Sequence, residues 1–239
     1  MRFVPIKNVE QQAMLSLHRA REGFVSDRTA TANRIRGLMA EYGLVIPQGI
    51  GHVRSRVPEL IEDATNELPG MFRALIDRLL DHLKWLSQQI EAIETQIKVW
   101  HKNNADSQRL AEIPGIGPII ATALIATIGN ARNFKNGREL AAWIGLVPKQ
   151  HSTGGKQTLL GISKRGDGYL RKLLIHGARS LTYYAGKRIS PDSWLSKLMA
   201  RRHINVAVVA QANKTARTVW AILVHGREFR PDYALKAAA

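Results

Sequence analysis

Apolar residues along this chain recur mainly with helical spacing. From Asn8 to Tyr42, Met14, Leu17, Phe24, Ile35, Leu38 and Met39 form a loose stripe, and Gly43 stands where a C-cap belongs. Arg19, Arg21, Arg28, Arg34 and Arg36 occupy the other faces, so this stretch is expected to be one long helix. Arg2 to Lys7 is too short to be a domain and reads as a final strand or linker of something earlier. Residues 43–58, with Pro47, Gly49, Gly51 and Pro58, read as a connector, followed by a short helix over Glu59–Glu67. From Pro69 onward, Phe72, Ile76, Leu79, Leu83, Leu86, Ile90, Ile93, Ile97 and Trp100 alternate in steps of four and three, a heptad seam. An antiparallel helical hairpin with the earlier helix is expected, offering a dimer surface as well.

After Asn103-Asn104 the texture changes to short helices and glycine loops. Helices are expected at 107–112, 118–128, 137–145, 167–186, 192–202 and 204–224. No segment alternates convincingly with period two. The expected fold is mainly α: a long helical coiled-coil hairpin, then a helical domain containing a helix-hairpin-helix DNA-binding motif. The divisions are a helical arm over 1–48, a coiled-coil segment over 49–104, the helix-hairpin-helix over 105–131, a C-terminal domain over 132–229 and a tail over 230–239.

Charge sharpens this picture. The net charge is +16 over 239 residues. Residues 1–113 carry 15 basic and 14 acidic side chains, whereas residues 114–239 carry 20 and 5. A positive field confined to one half favours a polyphosphate partner over simple solubility. The absence of cysteine excludes disulfides, thiolate chemistry and cysteine-bound zinc. No apolar run reaches the roughly 20 residues needed to span a bilayer, and MRFVPIKNVEQQ lacks the apolar core of a signal peptide. A soluble intracellular, cytoplasmic protein is expected.

Three constellations could carry chemistry. In Ile113-Pro-Gly-Ile-Gly-Pro118, Gly115 and Gly117 would let the backbone turn tightly and aim the amides of the next helix at a phosphate. Such contacts position DNA without reading its sequence, and the plainer alternative is an ordinary helix connection. In WIGLVPKQHSTGGK, Ser152 or Thr153 is a candidate nucleophile, which would need a base or a cationic cradle. Lys149, Lys156, Lys164, Arg165 and Arg171 could supply that cradle or anchor phosphates. From spacing alone, Ser-Thr-Gly-Gly reads rather as a polar turn. In SKRGDGYL, Asp167 is placed to cap the following helix. Downstream of the hairpin the acids are Glu139, Asp167, Asp192, Glu228 and Asp232, without the clustering a Mg²⁺ site requires, so no metal site is expected in this chain. A helix-hairpin-helix glycosylase would place an aspartate after the hairpin, and Gly129 to Gly137 has none.

The combination of the IPGIGP hairpin, GLVPKQHSTGGK, GISKRGD and the late ANKTARTVWAIL resembles the transposases of insertion-sequence family one-hundred-and-ten, related to the Piv/MooV DNA invertases. The resemblance runs from about Met1 to about Phe229. It implies a two-part enzyme: a RuvC-like domain whose DEDD carboxylates bind Mg²⁺, then a coiled coil and a domain with a nucleophilic serine, guided by a structured bridge RNA. By position that serine is Ser152, with Thr153 as the neighbouring alternative, and residues 132–229 form the serine domain. The DEDD set would precede Met1, so the resemblance covers the coiled coil and serine domain without the nuclease half, and Mg²⁺ is implied for that half. DNA is the expected partner, with the guide RNA, a homo-oligomer through the coiled coil and full-length transposase beside it. The competing expectation, from another class, is a non-catalytic module that binds nucleic acid, oligomerises and modulates full-length transposase.

Overall fold

In the computed structural model, residues 6–183, 190 and 192–230 are described. The chain divides into two compact units, Ser16–Gln96 and a second built from the residues up to Leu15 together with those from Ile97 onward. Expectations for Arg2–Pro5, for 184–186 at the end of one helix and for most of the tail lie outside the described residues.

The unit Ser16–Gln96 is helical. It contains most of α1 (Val9–Glu41), all of α2 (Ile50–Glu62) and most of α3 (Gly70–Lys102). The two long helices run antiparallel. Arg21 donates to Glu94 Oε1 at 2.6 Å, Phe24 meets Trp85 edge to face at 5.8 Å, and the Tyr42 ring lies 4.2 Å from that of Phe72. The heptad residues are spent inside the chain. Phe72, Ile76 and Leu83 are buried with Ala32, Ile35 and Met39 of α1 and Val53 and Val57 of α2. Leu86 and Ile90 continue the buried stripe. The buried part of the seam thus packs on the chain's own helices.

One element departs from expectation. The helix expected over Glu59–Glu67 begins at Ile50, inside the segment read as a connector, and ends at Glu62. Gly49 precedes the helix, Gly51 lies within its first turn, and Pro58 is carried inside it. Burial of Val53 and Val57, both fully inaccessible, outweighs these breakers. The helix ends in a turn in which Asp63 Oδ1 accepts from the Thr65 amide (2.9 Å) and hydroxyl (2.7 Å). These bonds hold the Asp63 carboxyl below its usual pKa. Arg73 then satisfies the carbonyls of Leu68, Asn66 and Ile61.

The second unit packs short helices on a long one. Its order is α4 (Ala105–Ala111), α5 (Pro118–Ile128), a 3₁₀ turn (Ala131–Asn133), α6 (Gly137–Trp143), strands β1 (Pro148–Thr153) and β2 (Lys156–Ile162), α7 (Gly168–Tyr183), α8 (Trp194–Met199) and α9 (Ile204–His225). The core joins Leu110, Leu124, Leu140, Ile144, Leu146, Leu170, Leu174, Val208 and Val219. Small residues let α9 approach closely: Ala207, Ala212 and Ala216 are fully buried, and a Cβ on Gly137 would lie 2.9 Å from the Arg217 Cα. Trp220 Nε1 donates to the carbonyls of Ala131 and Phe134, both at 3.1 Å, closing the 3₁₀ turn against α9.

The antiparallel pair β1–β2 corrects the reading of 148–162 as loop without period-two structure. Every residue of β1 is exposed, so no apolar alternation marks it. The signal that was present is Gly154-Gly155, with φ +55 and +80, between the paired Thr153 and Lys156. Two consecutive positive φ values make the two-residue turn that matches strand twist.

Candidate nucleic-acid interface

The turn between α4 and α5 is docked rather than free. Gly115 has φ +88, and a Cβ there would lie 2.7 Å from the Gly177 carbonyl oxygen in α7. Gly177 in turn would place a Cβ 3.2 Å from the Gly115 carbonyl carbon and 3.0 Å from Ile120 Cδ1. Two glycines thus let the backbone of the turn lie directly on α7. Gly117 differs: it is the N-cap of α5, and nothing lies within 4 Å of where its Cβ would be. The first amides of α5 have no intrahelical acceptor, as at any helix start. Lys7 Nζ donates to the Thr127 carbonyl (2.8 Å) at the opposite end of α5, complementing its dipole.

The basic loop Ser163–Gly166 is bound to the end of α6. The Ser163 amide donates to the Val147 carbonyl (2.8 Å) and the Lys164 amide to the Gly145 carbonyl (3.2 Å). Arg171, half-buried on α7, donates through one guanidinium nitrogen to the carbonyls of Ile144 (3.0 Å) and Arg165 (3.3 Å). Its head is a strut holding the loop on α6. Asn213 Nδ2 adds a bond from α9 to the Leu146 carbonyl (3.2 Å). Asp167 caps α7, accepting from the Leu170 amide at 2.8 Å. Lys164, with φ +56, and Arg165 remain exposed.

Ser152 and Thr153 sit near the tip of the strand pair. Register pairs Ser152 with Gln157, Thr153 with Lys156 and His151 with Thr158. Consecutive strand residues face opposite sides and paired residues share one. Ser152 therefore lies on the face of Gln150, and Thr153 on that of His151 and Lys156. His151, next to Ser152 in sequence, is on the wrong face to take its proton. The Ser163–Gly166 loop joins the base of the pair, where Pro148 is opposite Ile162. Ser152 is four residues further along, about 13 Å at about 3.3 Å per residue. Lys149 and Lys156 are exposed on the strands. The structure so groups Lys164, Arg165 and Arg171 at the base and Lys156 at the tip, while Gly115 is packed on α7. Both hydroxyls are on exposed residues of the strand pair.

Nor do the described residues hold a metal: no three His, Asp or Glu side chains gather in a way that could ligate one. The described residues do not fit a Mg²⁺ site. No described helix is long and apolar enough to cross a membrane.

Missed in the sequence was Trp143, exposed at the end of α6, against whose backbone the basic loop packs. Its signal was an aromatic at the end of a short helix flanked by cations on both sides in sequence.

A helical unit that carries a hydroxyl-bearing strand pair among exposed cations has clear relatives. The model of the "Transposase IS116/IS110/IS902 family" matches residues 107–191. A "Probable family 20 transposase" of Pseudomonas aeruginosa is 46% identical over 97% of this chain and 69% of its own length. The transposase for insertion sequence element IS1111A of Coxiella burnetii is 41% identical over 96% of this chain and 64% of its own. That for IS1328 of Yersinia enterocolitica is 40% identical, with coverages of 96% and 68%. The chain belongs to this family of insertion-sequence transposases. It spans about two thirds of the length of these relatives.

Proposed function

We propose that this chain provides the DNA-binding and strand-joining part of an insertion-sequence transposase. Its Ser152 hydroxyl attacks a DNA phosphodiester. The Oγ–P bond forms as a P–O bond of the strand breaks, the Ser152 proton goes to a base, and the departing oxygen is protonated as a strand end. The observation that carries the transposase role is the 46% identity over nearly the whole chain with a transposase. The choice of Ser152 rests on position in the family motif and on its exposure near the tip of an arm in the positive half of the chain.

The base and the Mg²⁺-binding carboxylates come from outside the described residues, in this reading from a RuvC-like DEDD domain of an intact relative. The docked α4–α5 turn acts as a helix-hairpin-helix through Gly117 and the amides of α5, with Gly115 setting the turn. Lys149, Lys156, Lys164 and Arg165 neutralise phosphates, while Arg171 holds their loop in place. A structured guide RNA, full-length transposase and a further copy of the chain are the other partners of this reading.

The test is a covalent adduct with end-labelled element DNA, formed in the presence of an intact relative. The full chain is expected to form one and Ser152→Ala to form none at nearly unchanged DNA affinity. An unmutated chain that binds DNA but never forms an adduct would establish the non-catalytic module instead.

A further inference from the structure

Trp143 ends α6 with 39% of its surface exposed, although Leu140 and Ala141 of the same helix are fully buried. Its ring is backed by that of Phe134, at 5.4 Å and 58°. Phe134 is itself packed on the core, and its carbonyl is held by Trp220. The Asn136 side chain fixes the start of α6 by accepting from the Arg138 and Glu139 amides, both at 3.0 Å. The indole is thus a pre-set platform on a rigid element.

Two separate segments adjoining α6 carry positive charge. Arg132, Lys135 and Arg138 are exposed on the approach to α6. On the other side, a Cβ on Gly166 would collide with the Trp143 carbonyl oxygen, so the loop bearing exposed Lys164 and Arg165 lies against the end of α6. The acids in these segments are bound to backbone: Glu139 Oε2 accepts from the Lys135 amide (2.6 Å), and Asp167 caps α7. An aromatic face among cations is complementary to a nucleobase attached to phosphates. A duplex presents base edges in its grooves, whereas an unpaired position presents the π-face that an indole can stack on.

We propose that Trp143 stacks an unpaired DNA base while Lys164, Arg165, Arg132, Lys135 and Arg138 hold its flanking phosphates. The inference deepens the strand-joining reading and rests on it for the choice of DNA, because joining strands requires positions taken out of the duplex. It assigns the protein a preference for distorted or single-stranded DNA that phosphate contacts do not give.

The test is fluorescence anisotropy with the full chain and four labelled probes: a short oligothymidylate, an oligouridylate and an abasic strand of the same length, and a blunt duplex. Trp143→Ala is expected to weaken oligothymidylate binding roughly tenfold, within the range of one lost base–aromatic stack. Abasic-strand and duplex affinities should be unchanged, and Trp143→Tyr should retain most of the binding. Equal loss on the abasic strand would reduce Trp143 to a support for the basic loop and overturn the proposal. So would an unchanged oligothymidylate affinity, or a larger effect on oligouridylate, which would assign the platform to RNA. Because Ser152 plays no part in these measurements, a missing adduct and a missing stacking effect are separate failures.

Discussion

Gly177→Ala tests the docking of the α4–α5 turn on α7. The new methyl would lie 3.2 Å from the Gly115 carbonyl carbon, 3.0 Å from Ile120 Cδ1 and in collision with the Gly115 carbonyl oxygen. The obstacle is backbone of a turn that is itself held at φ +88, so no flexible side chain can give way. Overpacking of this kind costs about 1–3 kcal/mol, and a backbone obstacle belongs at the upper end. Replacing glycine within a helix recovers about 1 kcal/mol of helix propensity. A net loss of about 2 kcal/mol follows, which lowers Tm by roughly 4–8 °C for a unit of this size. Gly37→Ala in α1 is the control: nothing lies within 4 Å of its new methyl, so it should gain about 1 kcal/mol. Calorimetry that separates the transitions of the two units makes the comparison. Equal stabilisation by both substitutions would refute the close approach of Gly115 and Gly177.

Two further expectations concern charge. His18 is buried, and its pKa falls to about 4 because burial disfavours the charged ring, with the Arg21 charge adding to this. Below pH 6.5 the unfolded chain binds a proton that the folded chain refuses until about pH 4. Stability should therefore fall by up to a few kcal/mol between these limits and level off below, a slope that His18→Gln should reduce in urea titrations across that window. Duplex-DNA affinity should fall linearly on a log–log plot against salt. Lys164→Ala and Arg165→Ala should each reduce that slope by about 0.9, whereas Arg171→Ala should chiefly lower Tm, since its guanidinium holds two carbonyls. A slope that Lys164→Ala and Arg165→Ala leave untouched would remove the loop from the interface.

The helices were legible because apolar burial imposes its period on sequence. The seam from Phe72 to Trp100 marked α3 to within two residues of its bounds, and Asp167 before Gly168 marked the start of α7. Where burial is absent, the period is absent too. β1 is exposed throughout, so its strand pairing showed only in Gly154-Gly155. Where burial is strong, it overrides local propensity: Val53 and Val57 carry α2 across Gly51 and Pro58. The site was legible as a set of residue types but not as an arrangement. Arg171 reads as a cation like Lys164, yet its place on α7 turns it toward the carbonyls of Ile144 and Arg165. Spacing alone left Ser152 and Thr153 as neighbouring candidates, and the strand register sets them on opposite faces.

That opposition gives the most direct measurement. Adduct formed by the full chain with element DNA and an intact relative is digested with nuclease and protease, and the peptide spanning Lys149–Lys156 is sequenced by mass spectrometry. The strand-joining account expects the nucleotide remnant on Ser152, on the face of Gln150. A remnant on Thr153, on the face of His151 and Lys156, or DNA binding with no remnant on this peptide, would contradict it.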